Sequence, residues 1–126
     1  FSKWSQFFLV IVNLKHIYKI IENDELKKAK LSGEYLGSTK DIQDGYIHFS
    51  TAQQAQETAD KHFANVENLF LAAVETEALG SAIKWEISRG GAEFPHLYDR
   101  LKLSEVLWCR PLPLVGGRHK FPEGLT

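Results

Sequence analysis

The chain is 126 residues long, 44% hydrophobic and 25% charged, with 15 basic side chains against 16 acidic ones. A formal net charge of -1 excludes a protein that grips a nucleic-acid backbone over a broad basic surface, leaving only a small local basic site for that class of partner. The single cysteine, Cys109, excludes an internal disulfide, so the chain reads as cytoplasmic and independent of oxidation.

At this length one domain is expected. Residues 1–14, FSKWSQFFLVIVNL, carry an apolar run at 7–12 that is far too short to cross a bilayer, and no small-residue cleavage site follows it. They read as an extension ahead of a single domain over 15–126, and no membrane partner is expected. HIYKIIE (16–22) is rich in β-branched and aromatic residues and reads as a strand. Asn23 then has the chemistry of an N-cap for DELKKAKLS, with acids in the first turn, lysines later and Gly33 at the stop. GEYLGSTKD follows with the glycine and polar content of a loop.

GYIHFS is a second strand, bounded by Gly45. Either Ser50 with Gln53 or Thr51 with Gln54 forms a capping box for the helix in TAQQAQETADKHF. Ala52, Ala55, Ala59, His62 and Phe63 follow helical spacing, predicting one narrow face that packs closely on a sheet. NLFLAAVET (68–76), AIKWEIS (82–88) and SEVLWCRPL (104–112) read as further strands. Pro95 makes FPHLY (94–98) an edge strand or a turn into one. Cys109, inside the apolar run EVLWCRPLPL, reads as a buried, inert thiol, and VGGRH (115–119) as a turn. Two helices placed early and five or six strands placed late predict an α+β fold.

Two stretches concentrate polar function. On a strand, Tyr46, His48 and Ser50 share one face and the apolar pair Ile47 and Phe49 the other. The polar trio then lies beside a helix N-terminus, which favours anions. A sheet with one solvated face produces the same alternation, so His48 is either a ligand-facing residue or a packed one. In KWEISRGGAEFPHLY (84–98), Arg89 offers a planar fork for phosphate or carboxylate, and Gly90 and Gly91 allow a sharp turn or close approach to a ligand. Glu86 is the internal partner available to Arg89, and His96 and Tyr98 share a face if FPHLY is extended. His48 and Arg89 are expected to open onto one pocket. The five histidines show no metal-ligand spacing, and no metal is expected.

In this order and spacing, HIYKI, DGYIHFSTAQQ…TADKHF, KWEISRGG and FPHLY resemble a bacterial family known as domain of unknown function 952, over roughly residues 16–121. That family is in turn similar to the ADP-ribosyltransferase superfamily, which implies two small packed β-sheets, two main helices and a cleft for NAD. Carried over by residue, the resemblance puts Tyr18 and Lys19 at the first strand of the cleft, with Lys19 where that superfamily often has a histidine. His48 matches the histidine ahead of a hydroxyl-bearing turn, here Ser50 and Thr51. Glu93 or His96 stands for the late acidic residue. The implied catalytic set is His48, Glu93 and His96. The implied ligand-binding set is Tyr18, Lys19, Tyr46, Ser50, Thr51, Glu86, Arg89, Gly90 and Tyr98, with Arg89 or Lys19 holding phosphate.

The resulting expectation is a protein that binds NAD or a related phosphorylated nucleotide, with ADP-ribosyl transfer as its reaction. Two alternatives stand beside it: a non-catalytic nucleotide-binding module, and a phosphate-directed hydrolytic or RNA-end-processing enzyme using His48 and Arg89. Oligomeric state is left open.

Overall fold

In a computed structural model, which describes residues 15–126, the first element is β1 (His16–Glu22), where β-branched residues and Tyr18 fill an extended run. The extension expected over 1–14 lies outside the described residues. Helix α1 (Asn23–Ser32) follows at once and ends where Gly33 adopts a left-handed φ of 83°. The cap position is Glu22, which makes no side-chain cap bond. Asn23 is therefore the first helical residue and not the cap; its backbone N–H donates to the Asn68 carbonyl at 3.0 Å instead.

The stretch expected to be a loop contains two elements. Strand β2 (Glu34–Tyr35) pairs with β7 (Leu101–Lys102). Helix α2 (Thr39–Asp44) starts at a reciprocal capping box between Ser38 and Asp41. Strand β3 (Ile47–His48) leads into α3 (Ala52–His62). Thr51 and Gln54 form that helix's capping box, which leaves the Ser50 hydroxyl to share a 3.0 Å hydrogen bond with Thr58. Of the two boxes legible in the sequence, the structure uses the second.

The remaining elements are β4 (Leu69–Glu75), α4 (Thr76–Leu79), β5 (Ile83–Ile87), β6 (Glu93–Leu97), β8 (Val106–Leu112), β9 (Leu114–Val115) and β10 (Arg118–His119). Among the described residues the strands assemble, all antiparallel, into four small sheets: β1-β4-β8, β3-β6-β5, β2-β7 and β9-β10. The fold is α+β, with more and shorter strands than the sequence predicts. The additional ones are two-residue pairings that no periodicity can register.

The sheet β1-β4-β8 is covered on both faces. Ile17, Ile21, Ala72 and Val74 face one cluster with Leu26 and Ala29 of α1, Ile47, Phe49 and Leu97. Tyr18, Ile20, Leu71 and Ala73 face the other, with Ala59 of α3 and Leu112. Burying each such Leu or Ile is worth roughly 1.5–3 kcal/mol.

Strand β6 lies between β3 and β5, so Pro95 is central and not at an edge. The proline is tolerated because the β3 ladder stops at His48, opposite His96. Beyond it the Pro95 carbonyl accepts from Phe49 N–H at 2.9 Å, and no further strand residue needs the N–H that Pro95 lacks. Cys109 is exposed, contrary to the expectation of a buried thiol. It lies on β8, the outer strand of its sheet, where Leu107, Arg110 and Pro111 are exposed as well. Surrounding protein still pushes its thiol pKa up by desolvation.

Candidate functional site

The two three-stranded sheets meet where β3 peels away from β6. Ser50 and Tyr18 exchange backbone hydrogen bonds of 2.8 and 2.9 Å there, and a cleft of about 270 Å³ opens beside this seam. Its floor is apolar, from Ile20, Phe49, Phe63 and Phe94, and its polar wall includes Tyr46, His48, Ser50 and His96. Tyr46, His48 and Ser50 share this side because Ile47 and Phe49 are drawn into the core.

Asp41 organises one wall. It is 2% exposed, and its carboxylate accepts four hydrogen bonds. Oδ1 faces His48 Nδ1 at 2.5 Å and His48 N–H at 3.1 Å. Oδ2 faces Lys19 Nζ and Ser38 N–H, both at 2.8 Å. Burial pushes the Asp41 carboxyl upward, but the His48 and Lys19 partners prevail and hold it well below the usual carboxylate range. Burial lowers the Lys19 ammonium against the opposing pull of Asp41. The other nitrogen of the His48 ring, Nε2, lies 2.9 Å from Asp44 Oδ2. Only the imidazolium form can donate to both carboxylates at once.

His96, directly opposite His48 in the ladder, is arranged differently. Its Nδ1 lies 2.7 Å from Glu86 Oε1, the oxygen that also accepts from Tyr98 O–H at 2.7 Å. Those two donors hold the Glu86 carboxyl below its ordinary value, the Tyr98 bond being the larger cause. The same carboxylate pushes Tyr98 up to about 12. A carboxylate acceptor fixes the hydrogen on Nδ1 and leaves the lone pair of the neutral ring on Nε2. His96 is 3% exposed, lines the cleft, and among the described residues its Nε2 has no hydrogen-bond partner. Tyr46 stacks on this ring at 4.1 Å between centroids and contacts His48 at 4.7 Å. The pair of histidines thus divides into one ring held at both nitrogens and one with a free nitrogen.

The structure therefore brings Tyr18, Lys19, Tyr46, His48, Ser50 and His96 to one cleft. Glu86 and Tyr98 stand behind His96. Thr51 is spent on the helix cap. Glu93 is exposed at the start of β6, away from the cleft lining, and its backbone carbonyl accepts from Gln54 Nε2 at 2.8 Å. Gly90 takes a left-handed φ of 64° in the turn after β5, and its neighbour Ser88 reaches the cleft. The Arg89 side chain lies outside what the structure describes, and with it the pocket expected to join His48 and Arg89. Asp41 and Asp44, which the sequence reading passed over, are central. The one signal for Asp41 is Ser38-x-x-Asp41, a capping pattern inside the supposed loop.

The family model of the protein of unknown function DUF952 matches residues 20–109, and this span contains β1 from Ile20, both histidines and the Glu86 pair. The chain belongs to that family. Protein CC0527 from Caulobacter crescentus is 50% identical, and its crystal structure superposes with a TM-score of 0.81 over 83% of this chain and 93% of that one. The solution structure of CC0527, again 50% identical, gives a TM-score of 0.75 over 82% and 90% of the two chains. A protein half identical to this chain thus shows a similar fold in crystal and in solution. No curated protein matches this chain. Among its described residues no helix is long and apolar enough to cross a membrane, and no group of three or more His, Cys, Asp or Glu is disposed to hold a metal ion.

Proposed function

We propose that the cleft binds a small phosphorylated nucleotide, NAD among them, and that His96 is the group that meets it chemically. The observation that carries this reading is the His96 ring, which lines the cleft, is held at Nδ1 by Glu86, and has a buried Nε2 without a partner among the described residues. A buried polar atom left without a partner costs free energy, and a ligand hydroxyl or N–H supplies the missing bond. A histidine oriented by a carboxylate is also the arrangement of a general base. The cleft of about 270 Å³ lies near the lower end of small-molecule pockets, roughly 300–1,000 Å³. It suits a nucleoside or sugar-phosphate portion on the apolar floor, with the rest of a dinucleotide across the open mouth. ADP-ribosyl transfer, implied by the resemblance of the family to that superfamily, is the reaction to assay first.

In this reading His48 orients the site and Lys19 is an internal counter-ion, not a phosphate holder, since Asp41 already occupies its ammonium. The phosphate-directed alternative is weakened by the burial of Lys19, one of the two phosphate holders that the resemblance implies. The non-catalytic alternative draws support from Glu93, whose position away from the cleft leaves no carboxylate in the late acidic role.

The test is a thermal-shift panel of NAD, ADP-ribose and 2′-phosphorylated nucleotides on the wild type and on His96→Ala. A ligand at a hundred times its dissociation constant stabilises the fold by about 2.7 kcal/mol, and His96→Ala abolishes that gain. A panel that leaves the wild-type midpoint unmoved, or a shift that survives His96→Ala, overturns the proposal.

A further inference from the structure

At the rim of the cleft, a lysine ammonium and an imidazole nitrogen converge on one oxygen of the protein itself. Asp44 Oδ2 lies 2.9 Å from His48 Nε2 and 3.2 Å from Lys40 Nζ, and all three residues line the cleft. His48 is fixed in this direction because its Nδ1 is tied to the buried Asp41. The inner charges cancel, Lys19 against Asp41. Beside the His48 ring, this leaves Lys40 and Asp44 as a further pair of charged residues among the described cleft lining.

Asp44 is far less anchored than Asp41. Its side chain is 31% exposed against 2% for Asp41, and it is the last residue of α2, before Gly45 with its φ of 87°. Lys40 and then His48 hold its carboxyl below the ordinary range, so it stands there as an anion. A carboxylate held by a lysine and a histidine is a chemical stand-in for an anionic ligand oxygen.

We propose that His48 Nε2 and Lys40 Nζ form an anion site for the phosphate of the bound nucleotide, and that Asp44 fills this site in the free protein and is displaced by the ligand. The identity of the anion as a nucleotide phosphate rests on the function proposed above; the anion site itself does not. In this arrangement the protein's own carboxylate competes with every incoming anion, so a bare anion binds weakly. A ligand that also gains the His96 bond and the apolar floor binds well. The competition lowers the affinity of every anion alike, so free phosphate stays unbound at concentrations where a nucleotide, with its further contacts, still binds.

The probe is inorganic phosphate, titrated by calorimetry at constant ionic strength into the full chain. Asp44→Ala binds phosphate about tenfold more tightly than the wild type, the scale expected when one competing partner of two exposed ion pairs is removed. Asp44→Asn, which keeps shape and loses charge, falls between the two. Adding Lys40→Ala to Asp44→Ala returns the affinity to the wild-type level, and the ¹⁵N resonance of His48 Nε2 moves on phosphate addition in Asp44→Ala. Equal phosphate affinity in wild type, Asp44→Ala and Asp44→Asn overturns the proposal, as does a gain that survives the loss of Lys40. Nucleotides that fail to bind any variant while Asp44→Ala binds phosphate would sink the proposed function and leave the anion site standing.

Discussion

Lys19 and Asp41 form a buried ion pair, Nζ to Oδ2 at 2.8 Å, with side chains 7% and 2% exposed. A pair this deep is weak evidence for net stability, because desolvation offsets most of the attraction, but leaving one member alone is costly. Lys19→Met strands the Asp41 charge and should lower stability by about 3–5 kcal/mol. Asp41→Asn, which keeps the shape, strands the ammonium instead. The double variant should lose clearly less than the sum of the two singles, because removing both charges removes the stranding. Urea denaturation of the four proteins gives the coupling directly, and strict additivity would show that the two side chains do not depend on each other.

The same carboxylate sets a pH dependence. The folded-state pKa of Asp41 is depressed by His48 and Lys19 despite burial, so the unfolded chain takes up the proton first. The stability it contributes is fully present above its unfolded pKa, about 3.9, and is lost as pH falls through the folded value. Between pH 5 and about 2 the wild type should lose stability more steeply than Asp41→Asn. Parallel curves for the two proteins would assign the acid sensitivity to other groups.

His48→Ala tests how far His48 braces the fold, besides its contact with the ligand anion. It takes two donors from carboxylates, one of them buried, and should cost about 1–3 kcal/mol, seen as a melting midpoint several degrees lower. His96→Ala leaves Glu86 bonded to Tyr98 and should weaken nucleotide binding more than it lowers the midpoint. The reverse ranking of the two variants would exchange the roles given to the two histidines.

The start of α3 provides a check on local reading. Thr51→Ala should lose about 1 kcal/mol with its capping box, whereas Ser50→Ala removes only a hydroxyl bond to Thr58. Thermal melts of the two alanine variants suffice, and a larger loss from Ser50→Ala would mean that the helix draws its stability from the other box.

Much of the frame was legible from residue chemistry. The β-branched run at 16–22, the apolar run at 69–75, the alanine face of α3 and the opposed faces of Ile47 and His48 each follow from a period or a propensity confined to a few neighbours. The heart of the site was not. Lys19 sits within an apolar strand, and nothing local says that its partner is Asp41. Helix α2 has six residues, too few for a helical period to emerge between Gly37 and Gly45. Pro95 was read by a rule about edges, whereas the tolerance depends on where the neighbouring ladder stops. Likewise, the division of labour between His48 and His96 turns on Asp44 and Glu86, whose meeting with those rings is tertiary.

Pro95 has a mechanical consequence. Since it has no N–H to offer, β3 cannot grow past His48 along β6, and the chain crosses over to exchange two hydrogen bonds with Tyr18 of the other sheet. Phe49 and Ser50 are thereby bonded to both sheets within two residues, to Pro95 on one side and Tyr18 on the other. Such a stitch leaves no hinge: the walls of the cleft behave as one block, not as jaws. Adaptation to a ligand is then confined to side chains and to the short α2 segment at the rim, and the backbone on either side of the stitch should exchange its amide hydrogens at the same slow rate with or without ligand.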